Sequence, residues 1–259
     1  MSHSLNPTHA EKHAVAPTFS DCVDPGFTFA FQPIVAIDSQ QVLGHEALVR
    51  GLSGEPAAAV IAAIGPGNRF FFDQICRMRA LHVAARRNIA GAIHLNCSHV
   101  VPANLAITIS ATRDFADEVG INPKRVVLEF GGLAQLGNPQ QLYNVHIEAQ
   151  KVGFRVLADN FGAGEIELKR LAVFKPHFAK LDRTLIAQIE SSPRRQALVH
   201  GIVATCSSLG VRLIASGVER PEERDWLRDA GLRLAQGYLF AHPGYAGKPD
   251  TEPHHSKAA

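Results

Sequence analysis

The sequence has no CxxC pair. Its four cysteines, Cys22, Cys76, Cys97 and Cys206, fall at irregular spacings. That argues against a thiolate zinc site or a disulfide framework and for free thiols in a reducing compartment. No apolar run approaches the roughly 20 residues that span a bilayer. The opening stretch, MSHSLNPTHAEKHAVAPTFSDC, lacks a basic start followed by an apolar segment, so no signal peptide is expected. These absences together predict a cytoplasmic protein without a membrane contact. There is also no excess of one charge: the formal net charge is +2, with no basic run, which gives no electrostatic reason to expect a nucleic-acid polymer as partner.

What the chain does have is core-forming material. Of its 259 residues, 46% are hydrophobic and only 19% charged, enough for one α/β barrel or two smaller domains. Residues 1–25 are polar, rich in His and Pro and without period, and read as a flexible tail. Residues 244–259 have the same character, and His254 and His255 read as tail residues rather than ligands. Between them, over residues 26–243, strand-like and helix-like segments alternate. Phe27–Ile37 and Gln41–Gly51 read as two strands joined by a turn around Asp38–Gln40. A long helical run spans Asn68–Asn88, with Phe72, Ile75, Cys76 and Arg79 at helical spacing. Short apolar strands follow at Ala92–Asn96, Arg125–Phe130, Phe154–Asp159, Phe178–Asp182 and Val211–Ser216, with a last one over Leu232–Phe240. Helices are expected over Pro139–Val152, from Pro193 through Leu209, and over Pro221–Ala230 with Gly231 as its cap. This alternation predicts parallel strands with helices outside. An open doubly wound sheet and a closed barrel both satisfy it. The lack of a GxGxxG after the first strand favours the barrel.

Polar groups fall at the ends of these apolar strands. Asn96 ends one, Glu129 the next and Asp159 the next, while Lys180 and Asp182 end a fourth and Gln236 sits near the end of the last. In a parallel barrel such ends converge on one rim. A single acid there is an ordinary cap or turn residue, but five such positions weaken that explanation. Crowded carboxylates repel unless a cation joins them. The oxygen donors Glu46, Asn96, Glu129 and Asp159 suit Mg²⁺, Mn²⁺ or Ca²⁺ rather than zinc. Lys180 beside them is placed to hold a phosphate or a water nucleophile.

The order of motifs resembles the EAL family. Glu46-Ala47-Leu48-Val49-Arg50 matches its signature and following arginine, and Gln32-Pro33-Ile34 the preceding strand. Leu95-Asn96-Cys97-Ser98, Leu128-Glu129-Phe130 and Asp159-Asn160-Phe161-Gly162-Ala163-Gly164 resemble the asparagine strand, the second glutamate strand and the DDFGxG loop. Lys180-Leu181-Asp182, Ala215-Ser216-Gly217-Val218-Glu219 and Gln236-Gly237-Tyr238 complete the order. Phe72-Asp73-Gln74 and the C-terminal third are similar to EAL domains attached to blue-light sensors. The resemblance implies a (β/α)8 TIM-like barrel with one antiparallel strand, binding cyclic di-GMP. Active members hydrolyse it to pGpG with two ions, usually Mg²⁺ or Mn²⁺. By that pattern Glu46, Asn96, Glu129 and Asp159 hold the first ion, and Asp159, Asn160 and Glu219 the second. Lys180 orients the attacking water, Arg50 contacts a phosphate, and Gln32, Asp182 and Gln236 lie near the nucleotide.

Three positions depart from the pattern. Asn160 replaces the second Asp of DDFGxG, Ser216 replaces the first Glu of AEGVE, and Gly132 stands where a loop-anchoring Glu is usual. Glu165 also stands where an aromatic residue is common. Asn160 lacks a negative charge, Ser216 is too short and too weakly acidic to replace a glutamate, and Gly132 loosens the loop. The expectation is a first cation site kept and a second weakened, hence a receptor for cyclic di-GMP or a partner protein with little or no hydrolysis. A working phosphodiesterase and a module that binds only protein are the alternatives. A homodimer is also expected from the family.

Overall fold

The computed structural model describes residues 26–131, 137–161 and 168–245. Eight strands close into a barrel in chain order. They are β1 (Phe27–Ala36), β2 (Val42–Gly51), β3 (Ala92–Asn96), β4 (Val126–Gly131), β5 (Arg155–Phe161), β6 (Phe178–Leu181), β7 (Arg212–Ser216) and β8 (Leu234–Gln236). β1 runs antiparallel to both neighbours, β2 and β8, and every other pair is parallel. The cause is local. Only five residues link β1 to β2, with Gln40 in the left-handed region at φ 55°, and so short a link makes a hairpin rather than a crossover. The pairs Val35↔Ala235 and Ala36↔Leu234 then close the ring, which decides for the barrel over the open sheet.

Among the described residues eight α-helices lie between the strands: α1 (Ala57–Ala62), α2 (Arg69–Arg86), α3 (Leu105–Glu118), α4 (Pro139–Lys151), α5 (Leu168–Phe174), α6 (Arg183–Ile186), α7 (Pro193–Ser208) and α8 (Pro221–Asp229). Pro193 and Pro221 open their helices at the first turn, and Gly231 follows α8 at φ 95°, as its place predicts. Sequence reading assigned no helix over α3, whose Thr and Ile residues look unhelical. Its buried face takes Leu105, Thr108, Ile109, Thr112, Phe115 and Ala116. The two threonines enter the core because each hydroxyl donates to a carbonyl one turn back, Asn104 O at 2.9 Å and Thr108 O at 2.7 Å.

The last strand is a correction. It ends at Gln236, not Phe240, because the chain turns at Gly237. Leu239 N donates to Val218 O, and Phe240 and Ala241 N both donate back to Gly237 O. The chain remains ordered just past residue 243: Gly244 exchanges backbone hydrogen bonds with Phe31. The expected tail at 1–25 and residues 246–259 of the one expected at 244–259, together with Cys22, Gly132 and Glu165, lie outside the described residues. Cys97 and Cys206 are buried and Cys76 half-buried, all as free thiols.

Strand alternation separates two cores. The outer one, between strands and helices, takes Val126, Leu128 and Phe130 of β4. The inner one is a single apolar layer inside the barrel: Ile34, Val127, Leu157, Phe178 and Ile214, with Ala92 and Leu234 against it. A strand presents alternate residues to one face. Two residues further toward the rim, where the parallel strands end, the interior positions are therefore Gln32, Glu46, His94, Glu129, Asp159, Lys180, Ser216 and Gln236. The polar residues share one layer, directly above the apolar one.

Candidate functional site

Lys180 stands at the centre of this layer. Its ammonium lies 2.6 Å from Glu129 Oε2, 3.1 Å from Glu46 Oε2 and 4.0 Å from Asp159 Oδ1. Asn96 Nδ2 donates to Glu46 Oε1 at 3.4 Å. Gln236 Nε2 donates to Glu46 Oε2 at 2.8 Å and to Gln32 Oε1 at 2.9 Å, and Gln32 donates onward to Ala241 O. Six of the side chains singled out in the sequence thus meet in one hydrogen-bonded cluster, and Asp159 joins it through its ion pair with Lys180.

Its charges do not balance. Burial pushes the Glu129 carboxyl up to about 7, with Lys180 opposing and Glu46 adding. Burial likewise lifts Asp159 to about 6, against the pull of Lys180. Glu46 goes the other way. Burial would raise it, but Lys180 and the hydrogen bonds from Gln236 and Asn96 hold it below the ordinary carboxylate range. Burial would lower Lys180, yet Glu129, Glu46 and Asp159 outweigh it and hold the ammonium charged. Three carboxylates share one cation, so a second positive group is favoured in the layer.

The donor chemistry fits an oxygen-seeking divalent cation: Glu46, Asn96, Glu129 and Asp159 all face the cluster. Their arrangement is the one set by Lys180. Among the described residues no three His, Cys, Asp or Glu side chains stand together at ligand spacing. A further sign of a missing partner is Gln236 Oε1, which is buried and accepts no hydrogen bond.

The remaining expected residues lie apart from Lys180. Asn160 sits at φ 55°, exposed, and its Nδ2 donates to Asp159 Oδ2 at 3.2 Å. It therefore spends a donor on the neighbouring carboxylate where an acid would add repulsion. Glu219 is joined to Arg183 at 2.8 Å, not to the acidic cluster. The buried Glu223 fixes the backbone around it by accepting from Glu219 N at 2.9 Å, Gln188 N at 2.9 Å and Arg220 N at 3.3 Å. Asp182 caps α6, accepting from Thr184 N and its hydroxyl. Arg50 donates to Val49 O at 2.8 Å near the far end of β2. Ser216 faces Gln236 in register on β7 and β8.

Two features escaped the sequence. His94 is buried, with Nδ1 2.7 Å from Glu129 Oε1. Burial, then the charge of Lys180, push its imidazole down to about 3, so the ring is neutral and donates from Nδ1. Both carboxylate oxygens of Glu129 are thereby held. His94 lies two residues before Asn96, so strand alternation alone puts it on the interior face. The second feature is on α2, whose inner face is polar where it meets β3. Arg77, paired with Asp73 and Gln74, donates to Asn96 O at 3.2 Å, and Asp73 accepts from Ser98 N at 3.2 Å. This buried bracket fixes the strand end that carries Asn96.

Two cavities open near the rim. One, about 250 Å³, is lined by Phe29, Glu46, Asn96, Ser98 and His99 among others and reaches the cluster. The larger, about 830 Å³, lies past the end of the β1–β2 hairpin, between Phe27, Gly51, Leu52, Phe71 and Phe72.

Comparison with known proteins follows the same lines. The family pattern described as EAL domain matches residues 20–243. The chain is 29% identical over 240 residues to the blue light- and temperature-regulated antirepressor BluF of Escherichia coli, covering 91% of this chain and 57% of that protein. It is 29% identical over 250 residues to the cyclic di-GMP phosphodiesterase RocR of Pseudomonas aeruginosa, covering 90% and 62%. It thus spans about three fifths of the length of these curated relatives. Among solved structures, a standalone versatile EAL protein of Vibrio cholerae in its c-di-GMP-bound form superposes with a TM-score of 0.80 at 33% identity, covering 90% of this chain and 98% of that one. Klebsiella pneumoniae BlrP1, in a manganese/cy-diGMP complex, gives 0.78 at 30%, covering 85% and 56%.

Proposed function

We propose, from the premise that this chain belongs to the EAL-domain family, that it binds cyclic di-GMP at the rim of the barrel and hydrolyses it slowly or not at all. The observation that carries this reading is the acidic layer itself. Glu46, Asn96, Glu129 and Asp159 gather at Lys180, whereas Glu219 is taken up by Arg183 and Asn160 is bonded to Asp159. The first four residues would hold Mg²⁺ or Mn²⁺, and a second ion at Asp159, Asn160 and Glu219 would be held weakly. A bound divalent cation supplies charge for the phosphoryl oxygens and lowers the pKa of a water. The chain's own contribution is orientation. Lys180, held charged, is the donor for a water or a phosphate oxygen, and His94 fixes the Glu129 carboxylate. Gln236 and Gln32 brace Glu46, and Arg50 at the hairpin end meets a phosphate. The larger BlrP1 and the shorter standalone relative are both described with cyclic di-GMP bound, which supports the ligand class.

Calorimetry with Mg²⁺ or Mn²⁺ should show saturable binding of cyclic di-GMP, while chromatography of the same mixture shows little pGpG. The triple variant Gly132→Glu, Asn160→Asp, Ser216→Glu should then release pGpG at least tenfold faster. Rapid linearisation by the unaltered protein would overturn the reading and favour the second one, a working phosphodiesterase, for which the retained Glu46 and Lys180 speak. On the same family premise we propose a cytoplasmic location. No described helix is long and apolar enough to cross a membrane. A protein partner or a second copy of the chain is the remaining expectation, which light scattering with and without nucleotide decides.

A further inference from the structure

At the opposite mouth of the barrel, one layer below the apolar ring, the interior positions are basic. Arg155 opens β5 and Arg212 opens β7, and both guanidinium groups lie over the ring of Phe178, with Cζ 5.6 Å and 4.2 Å from its centroid. Two like charges are thereby brought to one aromatic ring. Each gains from the ring face, and each is repelled by the other. Among the described residues neither has a carboxylate within the 4.0 Å of an ion pair.

Arg155 is the more constrained. Its Nη2 donates to Lys124 O at 3.1 Å, but its Nε is buried and has no hydrogen-bond partner. Burial and the nearby Arg212 both push it below its ordinary range. A buried donor on a charged group, left unmatched, costs stability unless something occupies it. Beside it, His177 uses Nδ1 to accept from Val156 N at 3.2 Å. This ring faces outward, toward α4, on the side of the strand opposite to Phe178. His146 of α4 stacks on it at 5.5 Å between ring centroids.

We infer that Arg155 and Arg212 form a binding site for a tetrahedral oxyanion of the phosphate class at the N-terminal mouth of the barrel, separate from the acidic rim. Guanidinium groups match such an anion in shape and charge, and the ring of Phe178 holds the two of them together. The site shares no residue with the proposed nucleotide pocket and stands or falls independently of it.

Inorganic phosphate tests the site by titration calorimetry, with EDTA present and with chloride at matched ionic strength as the reference. The expected result is saturable phosphate binding by the unaltered chain, weakened at least tenfold in Arg155→Gln and in Arg212→Gln and unchanged in Arg113→Gln, whose side chain pairs with Asp117 on α3. Arg212 is exposed, so Arg212→Gln is expected to fold and carries the test alone if Arg155→Gln does not. Phosphate binding no tighter than chloride, equal binding by Arg212→Gln, or loss confined to Arg113→Gln would each overturn the inference. Sulfate in place of phosphate should bind comparably. A phosphorylated peptide binding no better than free phosphate would place recognition in the oxyanion alone, as inferred, and one needing its peptide would refute that.

Discussion

Replacing Lys180 by methionine isolates the electrostatics of the rim. In the metal-free protein the ammonium faces Glu129 at 2.6 Å, Glu46 at 3.1 Å and Asp159 at 4.0 Å, all within the barrel. Methionine preserves the stem and removes the charge. Taking one partner from a buried ion pair costs about 3–5 kcal/mol, because the remaining charge is left without compensation. For a domain of this size each kcal/mol moves Tm by roughly 2–4 °C, so Lys180→Met should melt about 10 °C lower at pH 8 without metal. The pH dependence follows from the direction of the shifts. Glu129 and Asp159 titrate above their ordinary values, at about 7 and about 6. Between the unfolded and folded pKa values the folded state binds more protons, so their contribution to stability falls as pH rises through that window. Without Lys180 both move higher still, and the deficit should be largest at pH 8 and smallest near pH 5.5. Millimolar Mg²⁺ or Mn²⁺ should raise Tm more in the variant than in the unaltered protein, since the ion no longer competes with an ammonium. Differential scanning calorimetry with EDTA, then with metal, measures all of this. A variant melting within about 2 °C of the unaltered protein at pH 8, or one that metal leaves unmoved, would refute the reasoning.

Two further predictions concern positions to which the motifs assign no role. His94→Leu removes the Nδ1–H donor that holds Glu129 Oε1 and should weaken metal-dependent cyclic di-GMP binding by about 10–100-fold, as loss of a partner behind a ligand does; His94→Gln should recover part of it in the same calorimetric titration. Gly237→Ala should destabilise by about 3 kcal/mol or more in urea melts, because an ideal Cβ there would lie 2.0 Å from Val218 O and 2.3 Å from Val218 N, both backbone atoms. Gly231→Ala, strained at φ 95° but with nothing nearer than 3.8 Å, should cost only about 1 kcal/mol and serves as the control.

The strands were legible because a barrel buries both of their faces, leaving short apolar runs in which a Glu129 or an Asp159 stands out. Alternation then fixes direction: once Val127 is inside, so is Glu129. His94 went unread because one histidine in an apolar strand resembles a satisfied core residue until its partner on the next strand is known. Arg77 was hidden for the same reason, since its contacts with Asn96 and Cys97 lie about twenty residues away along the chain. The α3 helix was missed because its threonines satisfy themselves on the helix backbone, a bond that composition does not display. Closure of the ring depends on two residue pairs between the first and last strands, a contact that local pattern cannot encode. At the rim, the sequence named the acids but not their division, with Glu219 drawn to Arg183 and away from Lys180.

The reversed direction of β1 has a mechanical consequence. In an all-parallel barrel the first strand would begin at the floor, far from the chemistry. Here the chain comes in at Phe27 on the side of the mouth and runs downward, passing Gln32 opposite Glu46 on the way. A tug or twist applied at Phe27 therefore travels along a ten-residue ribbon straight to the carboxylate of Glu46 beside Lys180, with no helix in between to absorb it.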